Sequence, residues 1–179
     1  DYKTLVDIYI YNKGVRCFPV FDSAVWSDKV YKNIKRNKKS NTIGLGIARC
    51  KLFPDHDMPE IDHDFLLDFW KNISIEIEKQ GFQWKIFTNG LDKDDEFAEE
   101  VLKYIGKGKK VRRPVETQEL VKTISSYKGI IACRMHTNIV AFSMGVPSVG
   151  LVWNDKLTHW GEKIGHSDRF LTTDMFDTK

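Results

Sequence analysis

Residues 129–153, GIIACRMHTNIVAFSMGVPSVGLVW, read as strand, helix and strand in quick succession. The run GIIAC over 129–133 is short, apolar and β-branched, as a strand buried on both faces requires. Residues 137–144 are apolar on all sides, which suits a short buried helix, and Gly145 followed by Pro147 ends it. SVGLVW over 148–153 then returns to a strand. A strand joined to the next through a helix is a crossover connection, and such connections build parallel sheets.

The same alternation runs upstream. TIGLGIA over 42–48 reads as a first strand. Phe65, Phe69, Ile73 and Ile77 recur every fourth residue and mark an amphipathic helix that stops near Gly81. Residues 84–88 read as a second strand, ended by the turn pair Asn89-Gly90. Asp92, Asp94 and Asp95 place capping groups and negative charge at the start of the next helix, which runs through Phe97, Val101 and Ile105 to Gly106. Residues 110–113 form a weaker third strand before Pro114, Leu120, Val121 and Ile124 mark a helix over 116–127, and a last helix begins near Asp155. Five such units predict an α/β fold: a doubly wound, mostly parallel, Rossmann-like sheet with helices on both faces. Residues 1–40 supply no complete unit, although Leu5, Ile8, Tyr9 and the 15–21 stretch are apolar enough for strands. They are expected to be the remnant of an amino-terminal domain plus a lysine-rich linker, with residues 41–179 as a Rossmann-like ligand-binding domain.

With 41% hydrophobic and 30% charged residues, the 179-residue chain can bury one core, which argues against disorder. No apolar run is long enough to cross a bilayer. The chain opens Asp1-Tyr2-Lys3 with neither an initiator Met nor a signal peptide, so a piece of a longer protein is expected. Cys17, Cys50 and Cys133 are odd in number and far apart, which suits buried thiols in a reducing cytoplasm better than a disulfide framework. The net charge of +3 is unevenly spread, because Lys29, Lys32, Lys35, Arg36, Lys38 and Lys39 crowd one stretch. A solvated linker is the plain reading, and peripheral contact with an anionic membrane, at its inner face, is the alternative. No aromatic stacking pattern accompanies the charge, so nucleic acid is not an expected partner.

In an open parallel sheet, ligands bind beyond the carboxyl ends of the strands. Arg134 and His136 follow one strand there, Lys156 follows the next, and Arg49 and Asn89 follow the first and second. Several cationic or protonatable groups around one crevice, with a helix opening beside His136, call for an anion. Arginine suits a planar carboxylate or a phosphate, lysine acts as a point charge, and histidine can move a proton near neutral pH. A small ligand bearing both carboxylate and phosphate would engage all three types. The plainer reading is that these side chains solvate a surface. Asp55-His56-Asp57 and Asp62-His63-Asp64 are two acid–histidine triplets, but nothing in the spacing fixes a metal geometry, and no metal is expected.

The segment RMHTNIVAFSMGVPSVGLVWNDKLTHWGEKIG over 134–165 resembles the signature of the polysaccharide pyruvyl transferase family. It supplies Arg134, His136, Ala141, Gly145, Pro147, Trp153, Lys156 and Gly165 of that pattern, with tryptophan at 153 and 160 where the family usually has tyrosine and phenylalanine. The 86–90 stretch IFTNG and the 20–24 stretch VFDSA are similar to family features further upstream. The resemblance implies an architecture like a GT-B glycosyltransferase, this chain matching its carboxy-terminal domain, with the active site against an amino-terminal domain. It implies transfer of a pyruvyl group from phosphoenolpyruvate to a hydroxyl of a sugar or lipid-linked saccharide acceptor in cell-surface or exopolysaccharide biosynthesis, without a cofactor. His136 would be the catalytic residue, and Arg134, His136, Lys156 and Arg49 would bind the donor. The rival enzyme reading is a nucleotide-sugar glycosyltransferase, which commonly keeps an acidic residue in this helix, whereas residues 134–144 contain none. A non-catalytic domain that keeps only the fold is the remaining alternative.

Overall fold

A computed structural model describes residues 2–12, 18 and 20–176. Five parallel strands form one sheet: β1 (Thr42–Gly46), β2 (Gln83–Phe87), β3 (Gly129–Ala132), β4 (Ser148–Leu151) and β5 (Phe170–Leu171). Their order is β2-β1-β3-β4-β5, so the chain reverses direction across the sheet between β1 and β3. That reversal leaves a crevice at the carboxyl ends of β1 and β3, where ligands bind in folds of this type.

Five helices accompany the strands. On one face lie α3 (His63–Lys79) and α4 (Asp92–Ile105), whose Leu66, Phe69, Trp70, Phe97 and Val101 pack with Leu45, Ile86 and Cys133 of the sheet side. The other face carries α5 (Thr117–Ser125), α6 (Met135–Ser143) and α7 (Asp155–Lys163). There Val121, Ile124, Val140 and Ala141 meet Phe87, Ile130 and Ala132, while Leu157 and Trp160 meet Val152 and Phe170. Asp62 caps α3 by accepting the Phe65 amide at 2.9 Å, and Glu116 with Glu119 form a reciprocal capping box on α5. Glycine at 44 is required by packing: a Cβ there would lie 2.5 Å from the Tyr127 ring, which fills the groove between β1 and α5.

Two expectations change. Residues 110–113 make only a single parallel bridge, Lys110 to Ile86, at the outer edge of β2. Lys110 is drawn instead to Asp95 and Glu99 at 2.7 and 3.0 Å, and Pro114, which lacks an amide donor, follows before a ladder can extend. The fifth strand is therefore the short β5 rather than the 110–113 segment. The segment containing Leu5, Ile8 and Tyr9 is helical, as α1 (Tyr2–Tyr11), and so satisfies its backbone hydrogen bonds within the segment. Most of the apolar 15–21 stretch falls outside the described residues.

The lysine-rich segment lies against the domain. The short α2 (Ser27–Val30) packs on α6, with the Asp28 amide donating to the Ser143 hydroxyl at 3.0 Å. Arg36 donates to the carbonyls of Gly145 and Lys128 at 2.5 and 3.1 Å.

Candidate functional site

The crevice at the strand reversal is organised around one carboxylate. Asp94, in the first turn of α4, is fully buried. It accepts from the Arg134 side chain through Nε at 2.9 Å and Nη2 at 2.5 Å, and from the Arg49 backbone amide at 2.9 Å. One side chain from the segment after β2 thus ties together the segments after β1 and β3. A buried carboxylate needs such donors, since leaving it unpaired there costs several kcal/mol. Arg134 thereby commits two of its three nitrogens to Asp94.

The other expected cations also meet carboxylates. Arg49 pairs with Asp55 on the loop after β1, and this contact holds the Asp55 carboxyl below its ordinary range. His136, in the first turn of α6, has its Nε2 3.4 Å from Asp22, which also caps the turn at 23–26 by accepting the Ala24 amide. Arg134 therefore faces α4, whereas His136 faces the segment that precedes α2. Lys156 lies exposed in the first turn of α7, where Asn154 caps the helix by accepting the Lys156 amide at 3.2 Å. Among the described residues Lys156 makes no ion pair. All four residues belong to the carboxyl edge of the sheet, yet three are already engaged by acids that lie 6, 40 and 114 positions away in the chain.

Further contacts shape this edge. Trp153 donates its indole N–H to the Cys133 carbonyl at 2.7 Å, and the His56 ring packs against it at a 58° tilt with centroids 4.5 Å apart. The loops after β1 and β4 thus meet above the end of β3. Thr137, fully buried, donates its hydroxyl to the side-chain oxygen of Asn89. Asn138 donates to the carbonyls of Ala132 and Arg134 at 3.2 and 3.1 Å and so holds the start of α6 to β3. Beneath these contacts the Cys133 thiol is pushed up to about 12, by burial first and by the Asp94 charge second, which makes it a packing group rather than a nucleophile.

Asp94 and Trp153 carry more of this edge than the sequence suggests. Asp94 reads there as one of three helix-start acids, and only its burial singles it out. The acid–histidine triplets serve other ends. His63 sits 3.0 and 3.1 Å from Asp64 and Glu100, and among the described residues no three ligating side chains converge. An apolar groove of about 610 Å³ opens on the sheet face near the amino ends of β3 and β4, lined by Ile43, Ile77, Ile130 and Val149, and lies away from the strand-tip crevice.

A family model described as polysaccharide pyruvyl transferase matches residues 2–155. The matched span includes Arg49, Asp94, Arg134 and His136, and ends one position before Lys156. Comparisons with curated proteins and with solved structures return no match. The family model covers most of the 179 residues, over a parallel sheet whose reversal point carries the Arg134-Met135-His136 segment; the chain belongs to the polysaccharide pyruvyl transferase family.

Proposed function

We propose that this chain binds phosphoenolpyruvate at the carboxyl edge of β3 and β4 and serves the transfer of its pyruvyl group to a sugar as a ketal. The observation that carries the reading is the family match across the segment that opens α6 with Arg134-Met135-His136. In the reaction, the enol methylene gains a proton and a sugar hydroxyl adds to the neighbouring carbon. A second hydroxyl of the same sugar then displaces phosphate from that carbon, its proton leaving with solvent or phosphate. The products are the ketal and inorganic phosphate.

His136 is the proton donor in this scheme, and the Asp22 carboxylate 3.4 Å from its Nε2 orients the ring. Lys156 attracts the phosphate or carboxylate as an unpaired point charge. Arg49 joins them by exchanging the exposed Asp55 for the ligand. Arg134 acts mainly as a positioning residue, because Asp94 already occupies most of its fork. The free amides and positive dipole end of α6 add to the attraction for an anion.

Isothermal titration of the chain tests the reading. Phosphoenolpyruvate should bind at least tenfold more tightly than a nucleoside diphosphate. His136→Ala should reduce pyruvyl transfer by about 10²–10⁴-fold, the usual contribution of a general acid. Preference for the nucleotide, or transfer unchanged in His136→Ala, would refute it.

A further inference from the structure

We infer that the surface formed by α2, the lysine-rich segment after it and the end of α6 is a docking face for an anionic lipid bilayer. This inference is independent of the donor reading. Lys29, Lys32, Lys35, Lys38 and Lys39 are all exposed. The only acidic residue between positions 23 and 41 is Asp28. Asp28 pairs with Lys29 at 3.0 Å, and among the described residues the other four lysines make no ion pair. Lys29, Lys32 and Lys35 line one depression of about 410 Å³ together with Ser143 and Met144 at the end of α6. The charge of Lys29, Lys32 and Lys35 is therefore gathered on one side of the domain, and Arg36 pins the segment there through Gly145 and Lys128.

Large apolar side chains stand among these lysines. Trp26 is 57% exposed and Val30 70% exposed, and their spacing of four residues with Lys29 between them puts all three on one side of the turn. Phe142, next to Ser143 on α6, is 46% exposed. Phe21 is also exposed and carries Lys163 4.7 Å above its ring. Lysines that attract anionic headgroups, beside a tryptophan and aliphatic groups that can enter the interface, are the two signals stable peripheral binding requires. Exposed valine beside tryptophan fits the acyl boundary better than a nucleic acid, whose bases want aromatic platforms and whose phosphates want charge alone.

The test uses the whole chain with vesicles of neutral phosphatidylcholine, with and without ~30 mol% anionic phosphatidylglycerol. The chain should sediment with the anionic vesicles, lose binding at high salt and ignore neutral ones. Neutralising Lys29, Lys32 and Lys35 to Gln should weaken partitioning about a hundredfold, at about fivefold per lysine. Brominated acyl chains should quench the fluorescence, and Trp26→Phe should remove most of that quenching, since Trp70, Trp84 and Trp160 are buried and half-buried Trp153 is held by the Cys133 carbonyl and the His56 ring. These side chains are exposed, so the variants should keep the parent far-UV dichroism and melting temperature. Equal binding to neutral vesicles, insensitivity to the lysine changes, or tighter lysine-dependent binding to DNA than to vesicles would each overturn the inference.

Discussion

Removing either member of the Arg134–Asp94 pair should destabilise the whole carboxyl edge of the sheet. Asp94 is fully buried and Arg134 keeps only 20% of its side-chain surface, so neither can turn to water when its partner goes. Arg134→Met would leave the carboxylate with the Arg49 amide as its remaining donor, and breaking a buried pair in this one-sided way costs about 3–5 kcal/mol. Asp94→Asn keeps an oxygen for one donor but loses the charge. It also turns an amide N–H₂ toward a guanidinium that only donates, for about 3 kcal/mol. For a chain of this size each kcal/mol lowers the melting temperature by about 2–4 °C, so a loss of about 3 kcal/mol is a drop of roughly 6–12 °C. Urea titration followed by far-UV dichroism gives the free energies for both single variants and the Asp94→Asn/Arg134→Met double variant. In the double variant no isolated charge remains buried, so it should be at least about 2 kcal/mol more stable than the sum of the single losses predicts. Single losses under about 1 kcal/mol, or additive ones, would refute the view that this pair organises the site.

Two other predictions concern packing and reactivity. Gly150→Ala would place a methyl 2.5 Å from the Phe170 ring, between β4 and α7, and should cost about 1–3 kcal/mol by urea midpoint; an unchanged midpoint would show that β5 yields freely. Because burial pushes the Cys133 thiol up to about 12, almost none is thiolate at pH 8. Iodoacetamide at that pH should modify the partly exposed Cys50 and spare Cys133 until the chain is unfolded, as peptide mass spectrometry would reveal.

The fold class was legible in the sequence wherever an element could be recognised from its own residues. The strands around 42–46, 129–132 and 148–151 are short, largely apolar runs, 83–87 alternates polar Gln83 and Lys85 with buried Trp84 and Ile86, and Phe69 and Trp70 of α3 lie on a stripe of helical period. The 110–113 segment failed because a strand also needs a neighbour. Local composition did not reveal that Lys110 would be claimed by Asp95 and Glu99. Likewise, Ile8 and Tyr9 are good strand formers, yet strand formation depends on a partner edge, and the described chain puts them in α1.

For the site, the sequence by itself determined that Arg49, Arg134, His136 and Lys156 would emerge on the carboxyl edge of a parallel sheet. Each follows or closely follows a recognisable strand, and strands in such sheets all point the same way. Only the tertiary structure decided what faces them. Asp55, Asp94 and Asp22 approach from other segments, Trp153 meets His56 over β3, and α2 packs on α6 through the Asp28 amide. Hydrophobic periodicity records which way a side chain points relative to its own backbone. Charge pairing depends on distances across space between segments, which no periodicity in one chain encodes.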